Sequence, residues 1–112
     1  MKGGKNMVLG KWDSSVDEKW RLVIPITIKG VGSHVFLKEG NNNGCIQIYE
    51  SLLLPAEEED LSSIFPVKLR VSSGGLRRIS IPEALRGSIS FYFGKKVMIA
   101  GKGDYLEIWP RP

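Results

Sequence analysis

Apolar and polar residues alternate in short runs along this chain, with the period of two that marks strands half-buried against a core. In Arg21-Leu22-Val23-Ile24-Pro25, Leu22 and Ile24 share one face and Val23 takes the other. In Arg78-Ile79-Ser80-Ile81-Pro82, Ile79 and Ile81 fall on the matching face, with Arg78 and Ser80 opposite. The second segment lies 57 positions after the first, from Arg21 to Arg78, so the pattern recurs as well as alternates. Each copy runs on into a short basic-tipped stretch, Ile28-Lys29-Gly30 and then Leu85-Arg86-Gly87. Each closes with an alternating strand, Cys45-Ile46-Gln47-Ile48-Tyr49 and Tyr105-Leu106-Glu107-Ile108-Trp109. Three landmarks in one order predict an internal duplication whose halves keep their register.

The same pattern predicts strands near 8–12, 15–16, 20–24, 35–38, 45–49, 97–100 and 105–109, with a turn at Asp17-Glu18-Lys19. Pro25 and Pro82 end their strands and suit the first turn of a helix, where the missing N–H costs little. Glu83-Ala84-Leu85-Arg86 forms helix easily, whereas the β-branched Ile26-Thr27-Ile28 predicts one helical turn or none. Hairpins close across residues 40–44 and 101–104, where Gly, Asn and Asp supply the positive φ that tight turns need. Residues 52–63 predict a short acidic helix, limited by Pro55 and Pro66. The expected organisation is a flexible basic arm (1–6), a first repeat (7–54), an acidic linker (55–65) and a second repeat (66–112). A half of this size buries little apolar surface alone, so the repeats are expected to share one core.

Charge sharpens the picture. The chain carries +4 overall, but five of its 12 acids sit at Glu50 and Glu57-Glu58-Glu59-Asp60. The rest holds 16 basic and seven acidic residues, a net of +9, enough to attract phosphates. A merely soluble basic protein is the rival explanation. A 42% hydrophobic fraction with three tryptophans argues against disorder. No run of about 18 apolar residues predicts a membrane helix, and residues 1–10 lack an apolar signal core. The expected location is therefore cytoplasmic, at the nucleoid. The lone Cys45 excludes an internal disulfide and a cysteine-based zinc site, and is expected to be a small buried hydrophobe. His34 is the single histidine, and no spacing offers a triad or metal cluster. Gly30-Val31-Gly32 lacks the Gly-Lys-Ser/Thr of a phosphate-binding loop. No catalysis, cofactor or small-molecule substrate is expected.

These residues resemble the AbrB-like (SpoVT/AbrB) swapped-hairpin DNA-binding domains, and among them the tandem-repeat MraZ-like regulators, whose repeats carry D-x-K-G-R-x-x-x-P. The first copy matches at Asp17, Lys19, Arg21 and Pro25, with Trp20 at the glycine position. The second matches at Arg78 and Pro82, with Gly74 at the aspartate position and Arg77 at the glycine position. Gly101, Gly103, Glu107, Ile108 and Trp109 match the closing strand, and the match spans about 10–49 and 67–109. The resemblance implies a mainly β fold with short helices, built as a pseudo-twofold swapped-hairpin barrel. It further implies self-association and a transcriptional regulator that binds double-stranded DNA.

In that fold the loops project from one side, and their basic residues are the candidate DNA contacts. Arg21 and Arg78 hold the motif positions, Lys29 and Arg86 end the helical segments, Lys19 and Arg77 flank the motif, and Arg70 precedes the second turn. An arginine fork binds phosphate bidentately or reaches guanine O6 and N7. Arg21 has a second reading, as the partner of Asp17 across the turn, whereas Gly74 leaves Arg78 without that partner. Trp12, Phe91, Tyr92, Phe93 and Trp109 are expected in the core, and Trp20 exposed. Two alternatives stand beside this one: an antitoxin-like module that binds a protein partner, and a chromatin-like DNA binder without sequence preference.

Overall fold

The computed structural model describes residues 9–28, 31–40, 44–50, 64–88 and 96–110. The basic arm, Lys29, the tip of the first closing turn, the acidic stretch and Phe91, Tyr92 and Phe93 lie outside the described residues. The described chain is mainly β. Its strands are β1 (Gly10–Ser15), β2 (Arg21–Ile24), β3 (His34–Glu39), β4 (Ile46–Glu50), β5 (Phe65–Lys68), β6 (Arg70–Val71), β7 (Arg77–Ser80), β8 (Lys96–Gly101) and β9 (Tyr105–Pro110). Helical structure is confined, among the described residues, to a 3-10 helix at Glu83–Ser88 and a single turn after Pro25. The two start alike: Leu85 N–H donates to Pro82 O and Ile28 N–H to Pro25 O. The β-branched Ile26-Thr27-Ile28 stretch stops at that one turn.

All pairings are antiparallel, in two sheets ordered β1-β8-β9-β4-β3-β5 and β2-β7-β6. The register of β2 on β7 centres on Leu22 opposite Ile79, which are 57 apart like the motifs. Arg21 then faces Ser80 and Val23 faces Arg78, so a 57-residue shift exchanges one pair with the other. The β4–β9 register centres in the same way on Gln47 opposite Glu107. Strands cross between the halves: β1 lies on β8, and β5 lies on β3.

The sheets are open, which corrects the expected barrel. The chain folds over at two buried residues, Val16 after β1 and Leu69 after β5. There the ladder thins to one bridge, Val16 with Leu22, and one hydrogen bond, Leu69 N–H to Ser33 O at 2.8 Å. The two sheets therefore meet at corners and do not close into one ring of strands. Strand β5 was not signalled in the sequence because Pro66 interrupts it. At a sheet edge, proline's missing N–H costs no ladder bond, and β5 is an edge strand.

One core serves both halves. Leu22, Ile24, Val35, Leu37, Ile46 and Ile48 from the first pack with Ile79, Ile81, Val97, Ile99, Leu106 and Ile108 from the second. Trp12 packs against this core, as expected of it. Strand β4 is buried on both faces, since Cys45, Gln47 and Tyr49 on its outer side are covered as well. Tyr49 O–H donates to Gln47 Oε1 at 3.2 Å and its ring stacks on Tyr105 at 4.9 Å. Burial, with the charge of Glu107, pushes the Cys45 thiol up to about 11, so it stays protonated at neutral pH.

A shared core predicts that neither half is autonomous. Polypeptides 1–54 and 66–112, each expressed alone, should show no cooperative melt by calorimetry, since each would expose the faces built on Leu22 and Ile24 or Ile79 and Ile81. A cooperative transition from an isolated, monomeric half contradicts the shared core.

Candidate nucleic-acid interface

The face of β2-β7-β6 turned away from the core holds the candidate site. Alternation that buries Leu22, Ile24 and Ile79 places Arg21, Val23, Arg78, Ser80 and Arg70 on the other side. Arg78 lies directly opposite Arg70 on one flank and Val23 on the other. Arg21, Arg70 and Arg78, with Val71, Ser72 and Ser80, line one shallow cleft. Directly opposed like charges weaken a strand pair. A sheet that sets Arg70 against Arg78 beside Arg21 gives up stability to concentrate positive charge.

Asp17 organises the first turn. Its Oδ1 accepts the backbone N–H groups of Lys19 and Arg21, each at 2.9 Å, and its Oδ2 takes Arg21 Nε–H at 2.8 Å. Burial alone would raise its pKa, but the Arg21 N–H, guanidinium and charge, with the Lys19 N–H, hold it below the ordinary carboxylate value. Arg21 is thus both a turn tie and a cleft residue, with its side chain still 36% exposed. Lys19 is exposed at the tip of this turn.

Trp20 has φ of 60°, the left-handed conformation that favours glycine. It is half-buried, packs on the core and carries the Arg86 guanidinium 5.3 Å from its ring centre, a cation–π contact. The expected exposed tryptophan is therefore an internal contact between the first turn and the 3-10 helix. The same contact turns Arg86 inward, where its Nε–H also donates to Ile81 O at 3.0 Å.

Arg77 is turned inward too. It points to the core side of β7, and its Nη2 donates to Pro25 O and, at 3.0 Å, to Ile28 O. Desolvation lowers its pKa. Trp20 and Arg77, 57 residues apart, each reach across to the helical segment of the other half. Of the seven basic candidates, Arg21, Arg70 and Arg78 meet in one cleft and Lys19 stands beside it. Arg77 and Arg86 serve the interior, and Lys29 lies outside the described residues.

The second turn is built like the first, but farther out. In turn one Asp17 N–H donates to Arg21 O and Trp20 N–H to Asp17 O. In turn two Ser72 N–H donates to Leu76 O and Gly75 N–H to Ser72 O. Ser72 Oγ accepts Leu76 N–H at 3.2 Å, as Asp17 Oδ1 accepts Arg21 N–H. Gly75, with φ of +88°, occupies the conformation of Trp20. A fixed 57-residue shift had set Gly74 and Arg77 in those roles, whereas Ser72 and Gly75 fill them. The sequence signal was Ser72 three residues before Gly75, outside the repeat's fixed spacing.

No profile of a known protein family matches the chain. Along nearly its whole length it is similar to curated proteins named transcriptional regulator MraZ. The one from Dictyoglomus turgidum is 28% identical, the alignment covering 94% of this chain and 80% of that protein. Those from Dictyoglomus thermophilum and Mycoplasma mycoides subsp. mycoides are 27% and 25% identical, again over 94% of this chain. Fold and site define a mainly β chain that exposes clustered arginines on a sheet face. The chain is thus similar in sequence to regulators of the MraZ family.

Two substitutions separate architecture from surface. Arg77→Ala leaves Pro25 O and Ile28 O without their donor and should cost roughly 1–3 kcal/mol in thermal melting. An unchanged melting temperature contradicts the role given to Arg77. The second concerns pH. A carboxylate whose folded pKa lies below its unfolded value of about 3.9 adds stability that is present above that value and lost as pH falls through the folded one. Asp17→Asn should therefore melt below the parent at pH 7, and the gap should close on acidification. A gap independent of pH contradicts a stabilising role for the charge of Asp17.

Proposed function

We propose that the chain is a tandem AbrB-like regulator that binds double-stranded DNA through the outer face of β2-β7-β6. The observation that carries this reading is the cluster of Arg21, Arg70 and Arg78 around one open cleft, with Arg70 set against Arg78. Three guanidinium forks on an exposed sheet face suit phosphates and guanine edges. The relatives' shared name, transcriptional regulator, supports the same assignment. Residues 7–54 and 66–112 act as the two intertwined repeats, joined by the acidic stretch. The +9 balance outside that stretch draws the protein to nucleic acid in the cytoplasm, and self-association would align several such faces on repeated sites.

Phosphate contacts release counterions, so affinity falls with salt in proportion to their number. Four cations flank the cleft, Lys19, Arg21, Arg70 and Arg78. Binding to duplex DNA should then fall with a log–log salt slope of roughly −3.6 if all four meet phosphate, and of roughly −1.8 if Arg70 and Arg78 read bases instead. Arg78→Ala should cut that slope by about one if it holds a phosphate, or cost about 1–3 kcal/mol at one base pair if it reads a base. A slope near zero, or an Arg78→Ala variant that binds every duplex like the parent, contradicts DNA binding by this face.

A further inference from the structure

The two hairpins are of one build but unequal reach. In the first, five residues, 17–21, separate the bridged pair Val16 and Leu22. In the second, β6 and β7 add two rungs, Arg70 with Arg78 and Val71 with Arg77, before the equivalent turn at 72–76. Two rungs carry that tip about 7 Å farther out. The tips also differ in charge. Turn one presents Asp17 and an exposed Glu18 beside Lys19, whereas 72–76 is Ser-Ser-Gly-Gly-Leu without an acid. A Cβ added at Gly74 or Gly75 would meet no atom within 4 Å beyond its chain neighbours, so the tip is slender and open. A two-stranded β-ribbon of this kind fits the major groove.

We propose that the protein reads DNA asymmetrically. The β6–β7 hairpin enters the major groove and sets sequence preference through Arg70, Arg78 and the serines of its tip. The shorter turn at 17–21 stays at the backbone, where Lys19 and the Asp17-tied Arg21 hold phosphate while Glu18 limits closer approach. The two hairpins of the internal duplication therefore take different parts of one DNA site. This proposal rests on the DNA-binding reading above.

The test is selection of bound duplexes from a random library by the full-length chain, repeated with Arg70→Thr and Glu18→Gln. The parent should select one preferred motif. Arg70→Thr should relax preference on one side of that motif, by on the order of tenfold at the base pair it contacts. Glu18→Gln should strengthen binding to preferred and scrambled duplexes alike and leave the motif unchanged. Arg70→Thr leaving the motif unchanged, relaxing both flanks equally, or weakening every duplex alike overturns the asymmetric reading while leaving DNA binding intact. Recovery of no enriched sequence, with no retention of duplex DNA at low salt, overturns DNA binding itself and the asymmetry with it.

Discussion

One cross-strand contact, Leu22 against Ile79, fixes most of what this chain does. Both residues are fully buried, and the register of β2 on β7 is symmetric about them. A one-residue slip would turn Leu22 and Ile24 outward and bury Arg21 if β2 shifted, or turn Ile79 outward and bury Arg78 if β7 did. The cost of burying unpaired guanidinium groups makes that slip prohibitive. The same alternation that builds the core therefore delivers the arginines to the outer face. Hydrophobic burial supplies the driving force, and the position of the site follows from register.

The second centre of register, Gln47 against Glu107, lies in the larger sheet. Together the two registers let β1 of the first half lie on β8 of the second, and β5 lie on β3. Each half thus completes the other's sheet. Trp20 and Arg77 add to this exchange, since each leaves its own hairpin to support the helical segment of the opposite half. At position 20 a tryptophan holds a left-handed backbone that glycine would adopt more easily. Its packing on the core and under Arg86 offsets strain of the order of 1–3 kcal/mol.

Much of the fold was legible because period-two alternation and the 57-residue recurrence are written in side chains that must face one way. Strands β2, β4, β7 and β9 follow from that pattern alone, and the proline-started turns at Pro25 and Pro82 follow from local chemistry. The open sheets were not legible, because the corners at Val16 and Leu69 depend on where ladder bonds stop. Strand β5 was hidden by Pro66. At the site, Arg21, Arg70 and Arg78 could be named from sequence, but Arg77 and Arg86 could not be told from them. A guanidinium's destination depends on carbonyls such as Pro25 O and Ile81 O, which only the folded chain brings into range. The longer second hairpin is invisible to a constant 57-residue spacing, because its four extra residues shift the turn to 72–76.

The proposed DNA-binding surface is the outer face of β2-β7-β6. Amide chemical shifts of the full chain, followed by NMR during titration with a short duplex, test it most directly. Perturbations are expected at 19–23, 70–73 and 77–80, with the outer side of β4 and β9 around Gln47 and Glu107 unaffected. Shifts centred on β4 and β9, with 70–73 and 77–80 unchanged at saturation, would contradict it.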